Sequence, residues 1–418
     1  MNETILITGA NGYLGWNLVV HLARINKGKI ICVDNYIKEI IQRDNKVHEL
    51  SPAPSLSSKI NMLKYNNNFS TNPTNSLQRG CCDIKHVWAD VSNPKEIKKV
   101  FDIERPTIII HLAQQNSAPL SMDNLENSLL TNDINTKSTL TLLWCTKKYC
   151  PDALFILRGS INCYGRPGTY ISEGKTFIPT FGGNTMAPFP NQPTSIMECS
   201  KTLSSLYAQF CAKTWKLNIV EFKQGCLYGF RNKTCHIDKS IAGSFCYDNL
   251  FGNCINKFVS QVVTSNPITV HGHGNQGVAL LHLDDATESY CRVIRRFTKK
   301  QYAFFGIKKA KVKGFYKVIN QITSIRTIKS IAENIVLIAA DNFKLNPTIE
   351  YDKNYRDEKD SKDYLISANS MVKLGIIHTD DIFENQIKEL ISELQSMKEH
   401  INTSLFNKNI IWWKSNGI

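Results

Sequence analysis

Acidic side chains are in short supply: 36 Asp and Glu face 50 Lys and Arg, a formal net charge of +14 at pH 7 over 418 residues. Long apolar runs are missing too. None reaches the ~18 residues of a membrane span, and no cationic leader precedes the first apolar strand, so a soluble, cytoplasmic protein is expected. There is no internal repeat and no glycine or proline bias. With 42% hydrophobic and 10% aromatic residues, disordered, collagen-like and coiled-coil chains are excluded. Cysteine is present thirteen times, yet no Cys-x-x-Cys pair occurs. That spacing is what zinc ribbons and thioredoxin-like sites need, so scattered free thiols in a reducing compartment are expected, and no metal. A basic balance fits nucleic acid, an anionic membrane surface or an anionic small substrate. Where the charge sits decides between them.

What the sequence does contain is alternation. Strand-like runs at Thr4–Thr8, Lys29–Val33, His86–Ala89, Thr107–Leu112, Ala153–Leu157 and Ile219–Lys223 are separated by amphipathic stretches near Gly12–Asn26, Pro94–Phe101, Leu125–Tyr149 and Ser195–Lys216. This rhythm predicts an α/β fold, a Rossmann-type doubly wound parallel sheet with a smaller C-terminal substrate-binding lobe. The expected division is 1–229 for the Rossmann domain, with a polar Asn/Ser-rich excursion at 36–83 lying over the sheet edge. Residues 230–418 then form most of the second lobe, mainly helical near 234–268, 323–340 and 379–401, and the lobes interleave.

The run Thr8-Gly9-Ala10-Asn11-Gly12-Tyr13-Leu14-Gly15 ends the first strand and opens a helix. Glycines at this spacing permit a tight turn and close approach of backbone to a pyrophosphate, which the helix N-terminus attracts. Asp34, followed by Asn35, closes the second strand, where a carboxylate accepts from an adenosine ribose diol and repels a 2′-phosphate. The cofactor expected is NAD. Asp90-Val91 and Leu112-Ala113-Gln114 fall at later strand ends beside the same site.

These residues, with Gln115-Asn116-Ser117-Ala118-Pro119, Gln224-Gly225-Cys226-Leu227-Tyr228-Gly229 and the strand Pro267–Gly272, resemble the extended short-chain dehydrogenase/reductases. Within that NAD-dependent epimerase/dehydratase group the pattern is most similar to the UDP-sulfoquinovose synthases. The resemblance implies transient oxidation at C4 of a UDP-hexose, a nucleotide-sugar substrate, and a homodimer. It places Ser160 and Lys201 in catalytic roles and adds Asn135, Lys201 and Gln224 to the cofactor contacts. Gln115, Ser117, Gln224, Asn256, Lys257, Thr269 and Arg356 become substrate contacts.

The chain also departs from the group's pattern. Met197 stands at the position of the catalytic tyrosine, one helical turn before Lys201, and a thioether carries no titratable proton. Three readings stay open: a displaced base at Cys163, Glu198 or Cys199; a relay through Ser160, Lys201 and water; or a catalytically silent NAD-holding scaffold. Asn116 and Val278 replace arginines of the group, removing two positive charges from the expected pocket. The pair His271 and His273 on a glycine turn is expected to be structural. Ten Lys and Arg without one acidic residue fall within 292–317. This stretch is expected to be a surface insertion whose aromatics pack inward while its lysines stay solvated, with no specific nucleic-acid partner.

Overall fold

A computed structural model describes residues 1–47, 50, 54–69 (side chains to 64), 82–231, 243–307, 314–354, 364–377, 379–408, 410–411 and 413. The first half runs β1 (Thr4–Thr8), α1 (Tyr13–Ile25), β2 (Lys29–Asp34), α2 (Ile37–Asp44), α3 (Leu56–Phe69), β3 (Asp83–Trp88), α4 (Pro94–Glu104) and β4 (Ile108–His111). A short α5 (Ala118–Ser121) leads to α6 (Leu125–Asn132), a single π-turn, α7 (Ser138–Tyr149) and β5 (Leu154–Ser160). A hairpin of β6 (Lys175–Thr180) and β7 (Gly183–Pro188) precedes α8 (Ile196–Trp215), β8 (Asn218–Gln224) and β9 (Cys226–Tyr228). Seven strands make one parallel sheet, and its remaining edge strand, β12, comes from Phe315–Gln321; the order is β12-β8-β5-β4-β1-β2-β3.

The apolar strand runs follow from burial on both faces. Ile5 and Ile7 of β1 join one core cluster while Leu6 joins the other, and the same parity holds for Ile108, Ile109 and Ile110 and for Leu154, Phe155 and Ile156. Helices α4, α7 and α8 cover one face, and α1 covers the other together with α10 (below). Because β4 follows β1 in space on the side opposite β2, the chain reverses direction between β1 and β4. A crevice therefore opens at their carboxyl ends.

The second lobe holds α9 (Cys254–Val263), β10 (Ile268–His271), β11 (Gly277–His282), α10 (Leu283–Thr298), β13 (Ser324–Thr327), α11 (Ile328–Phe343), β14 (Ile349–Asp352), α12 (Asn369–Lys373) and α13 (Asp380–Gln395). Helices α9, α11 and α13 pack around Phe258, Ile335 and Ile387. Residues 324–327 are thus a strand, paired antiparallel with β11, where helix was expected. The segment 234–242 lies outside the described residues. Among those described, no helix is long and apolar enough to cross a membrane.

The two ends of the basic stretch at 292–317 belong to the framework, where an insertion was expected. Arg292, Arg295 and Arg296 sit on α10, which packs on α1, and Phe315 begins β12 in the central sheet. Phe305 and Phe315 are buried and stack at 4.7 Å, with Phe297 and Phe304 against the same core. The inward aromatics were legible in the sequence. What an unbroken row of cations disguised was a helix and a strand of the main sheet. Lysines 308–313 are outside the described residues.

One buried ion pair interrupts the apolar interior. Glu221 and Lys223 on β8 face α8; Lys223 Nζ lies 2.9 Å from Glu221 Oε1 and donates to Ser205 Oγ at 3.0 Å, while Ser205 Oγ donates to the same carboxylate at 2.6 Å. Tyr316 Oη donates to the other carboxylate oxygen. Burial alone would lower the Lys223 pKa, but the Glu221 carboxylate more than offsets this and holds it above the ordinary lysine value. Removing one partner strands a buried charge. Glu221→Gln is expected to lower stability by about 3 kcal/mol, read as a fall in unfolding temperature, and Glu221→Gln/Lys223→Met is expected to recover most of the loss.

Candidate active site

The crevice at the β1/β4 reversal continues into the second lobe as one cavity of about 530 Å³. Its first wall is the glycine turn. Gly9 has φ +70°, and a Cβ there would lie 2.8 Å from Ala113 N; a Cβ on Gly15 would lie 2.0 Å from Gly9 O. Backbone packs directly on backbone at both points. Gly12 caps α1 without a side chain, so the first-turn N–H groups face the crevice unobstructed.

Asp34 braces this turn. Its Oδ2 accepts from Asn11 N at 2.8 Å and its Oδ1 from Tyr36 N at 2.9 Å, leaving a second lone pair on each oxygen for a ligand hydroxyl. Burial raises the Asp34 pKa despite these donors. Asn35, Asp90, Val91, Leu112, Ala113 and Gln114 line the same wall with Tyr13 and Leu14. Tyr13 Oη donates to Gly229 O, tying the turn to the second lobe. Gln114 Nε2 is buried and has no hydrogen-bond partner among the described residues. A side-chain-free cradle, an unobstructed helix N-terminus, a carboxylate at the second strand end and an orphaned amide donor together fit a dinucleotide.

At the carboxyl end of β5 Ser160 lines the cavity together with Met197 and Lys201. Ser160 caps the turn after β5, its Oγ accepting from Asn162 N at 3.2 Å. Met197 and Lys201 are one turn apart on α8, and Lys201 Nζ donates to Gln114 Oε1 at 2.9 Å. Below them His111 is fully buried between Thr8 and Thr139 hydroxyls, and burial drives its pKa down to about 3, so it stays neutral.

The displaced bases are not where the sequence reading put them. Cys163 is fully buried off the cavity, its Sγ directed at Glu198 O, and burial raises its pKa. Glu198 completes the N-terminal cap of α8, accepting from Thr194 N and Oγ1 at 2.8 and 2.7 Å, while Ser195 Oγ accepts from Glu198 N. Cys199 is exposed on the same helix, away from the cavity, with a raised pKa. Asn135 likewise does not line the cavity. The π-turn between α6 and α7 turns it inward, where it holds both backbone groups of Gln115 at 2.8 and 3.0 Å and donates to Ser200 Oγ at 2.8 Å. It is a brace behind the site, and the helical stretch expected over Leu125–Tyr149 runs on through this turn from α6 into α7.

Of the substrate-side residues, Gln115, Ser117, Gln224, Asn256, Lys257 and Thr269 all line the cavity, as do Asn116, Val278 and His271; His273 is exposed. Several already have partners: Gln115 donates to Thr131 Oγ1 at 2.7 Å, Ser117 to Leu250 O at 2.6 Å, and Lys257 to Asn249 Oδ1 at 2.8 Å. Arg356 lies outside the described residues.

Three functional residues escaped the sequence reading. Arg158 and Arg166 line the cavity, so the pocket is not depleted of cations by Asn116 and Val278. Arg166 donates to Gly277 O at 2.9 Å, next to Val278. Arg158 donates from Nε to Gln224 Oε1 at 2.5 Å. The third, Lys59 on α3, is fully buried; its Nζ donates to Asn11 Oδ1 at 2.7 Å and lies 5.3 Å from the Trp16 ring. Arg158 offered a signal, an arginine two residues before Ser160 and on the same strand face. Lys59 offered none.

The model of the NAD dependent epimerase/dehydratase family matches residues 5–304. Among curated proteins the chain is 24% identical to the chloroplastic UDP-sulfoquinovose synthase of Spinacia oleracea, covering 99% of this chain and 80% of that one. It is 23% identical to the UDP-sulfoquinovose synthase of Sulfolobus acidocaldarius, covering 95% and 94%. Among solved structures it resembles a Bacillus cereus UDP-glucuronic acid 4-epimerase in complex with UDP-glucuronic acid and NAD, with TM-score 0.63, 14% identity and coverage of 94% and 99%. A Bacillus anthracis dTDP-glucose 4,6-dehydratase in complex with NAD gives TM-score 0.58, 19% identity and coverage of 95% and 98%.

Since a methyl group at residue 15 would overlap the Gly9 carbonyl, Gly15→Ala is expected to yield protein that folds but retains less than about a tenth of the wild-type dinucleotide. Release of bound nucleotide by denaturation, followed by mass spectrometry, measures this directly.

Proposed function

Because the chain belongs to the NAD-dependent epimerase/dehydratase family, we propose that it acts on a nucleoside-diphosphate hexose, by transient oxidation at C4, with Met197 in the place of the family tyrosine. NAD is the cofactor; it supplies the hydride acceptor and, by returning the hydride, emerges unchanged. Gly9, Gly12 and Gly15 hold its pyrophosphate, Asp34 its adenosine ribose, and Gln114 with Lys201 its nicotinamide half. Ser160 donates a hydrogen bond to the C4 oxygen as charge develops there. Arg166, Lys257, Asn256 and Thr269 hold the nucleoside diphosphate. The observation that carries this reading is the convergence of Ser160 and Lys201 on one cavity with the dinucleotide turn. Likeness to two UDP-sulfoquinovose synthases supports UDP as the nucleotide.

The protein works as a homodimer in this reading. Leu203, Leu206 and Phe210 form one exposed stripe on α8, and Leu125 with Leu129 another on α6, which packs beside it. A second copy of the chain covers this face.

Met197 itself favours the rival reading, a silent NAD-holding scaffold. Purified protein is expected to show rising near-ultraviolet absorbance of reduced nicotinamide on mixing with UDP-glucose or another UDP-hexose. No reduction across a panel of UDP-, GDP- and dTDP-sugars establishes the scaffold instead. Ser160→Ala is expected to slow that reduction by at least about 100-fold with NAD still bound. Leu206→Asp/Phe210→Asp is expected to sediment as a monomer.

A further inference from the structure

We propose that the Lys201 amine takes the proton from the sugar C4 hydroxyl, the task Met197 leaves vacant, and that Arg158 is the positioning residue that fits it for this. The inference deepens the reading above and rests on it. Elimination is its first support. At the Ser160 end of the cavity Met197 is inert, and Cys163, Glu198 and Cys199 do not reach the space. The carboxylates that line the cavity, Asp34, Glu39, Asp90 and Asp248, belong to the adenosine wall or to the second lobe. Lys201 remains, lining the same cavity as Ser160.

Charge placement is the second support. Arg158 shares the parity of Leu154 and Ile156 on β5, the face covered by α1 and α10, and it reaches across to Gln224. Lys201 descends from α8 on the opposite face. Between them the sheet is only backbone thick, because residue 159 is glycine; a Cβ there would lie 2.4 Å from Glu221 Oε1. The charged and titratable groups around Lys201 are Arg158 on β5, Cys163 just after it, Glu221 and Lys223 on β8, and His111 on β4. Glu221 is the one carboxylate among these groups, and it is paired with Lys223. His111 is neutral. The Arg158 charge therefore acts on Lys201 across the sheet, and the Glu221 carboxylate that opposes it is already paired with Lys223.

Burial first, and Arg158 second, push the Lys201 pKa well below the ordinary lysine value. A guanidinium does not yield its proton under such pressure, whereas an amine does. The Nζ lone pair then becomes available. One Nζ–H stays with Gln114 Oε1, fixing the amine. In the step itself the C4 O–H bond breaks, its proton passing to Nζ to give ammonium. The O–H electron pair stays on oxygen to form the carbonyl as hydride leaves C4, and the ammonium returns the proton when hydride comes back.

Competitive acetylation of the NAD-loaded protein across pH, read at Lys201 by mass spectrometry, reports the amine without requiring turnover. The expected midpoint lies well below the ordinary lysine range. In Arg158→Leu it moves up by about one pH unit or more, and in Arg158→Lys it returns toward wild type. The pH profile of cofactor reduction by a sugar nucleotide is expected to shift the same way, since removing a neighbouring cation raises the pKa of a basic group. Lys201→Arg keeps the charge and is expected to lose at least about 100-fold in cofactor reduction, counted per NAD bound. A Lys201 midpoint in the ordinary lysine range, or reduction by Lys201→Arg within tenfold of wild type, overturns the proposal. A midpoint unmoved in Arg158→Leu overturns the part given to Arg158. Wild-type protein that reduces no cofactor with any sugar nucleotide overturns the functional reading and this one together, a result distinct from reduction that proceeds without Lys201.

Discussion

No side chain fits where the end of β1, the first turn of α1 and the end of β4 meet. Everything else at the site is arranged around that contact of backbone with backbone. It sets the distance of α1 from the sheet, and so where the helix N-terminus points. It brings Ala113 and Gln114 alongside the turn, and it leaves Asp34 to brace the loop through Asn11 N in place of side-chain packing. A methyl group at residue 9 or 15 would part these elements, because their nearest neighbours are main-chain atoms with no freedom to move aside.

A second constraint is the handling of charge inside the sheet. Proteins keep buried ionised groups paired, or let them neutralise. Both solutions occur here within two strands of each other. Glu221 and Lys223 are paired, with Ser205 and Tyr316 supplying further hydrogen bonds. Lys201 has no such partner among the described residues, and it sits where a proton acceptor is wanted. The same rule therefore gives a stabilising pair in one place and a reactive amine in the other.

The phosphate-binding turn, the strand–helix alternation of the first half and the α8 turn bearing Met197 and Lys201 were legible from spacing, because each rests on local geometry: a period, a glycine, a turn of helix. Three placements differ from expectation. Cys163 and Glu198 were judged by closeness in sequence to the chemistry and Asn135 by the resemblance, while the structure sets all three behind the cavity wall. Arg158 was overlooked because it rides in an apolar strand, Leu154 to Ser160, whose burial dominates its pattern. The 292–317 run showed its charge and concealed its framework, since the lysines and arginines that fill its exposed positions say nothing about the strand and helix beneath. Lys59 belongs to an excursion with no recognisable motif, and only tertiary folding brings it to Asn11.

That contact gives the polar excursion a part in the cofactor wall. Lys59 is sealed against Trp16 with its ammonium on the side chain of Asn11, so the glycine turn is held from behind by α3 as well as from the front by Asp34. A dinucleotide would meet a turn whose shape two tertiary contacts already fix, and less of its binding energy would go to ordering the loop.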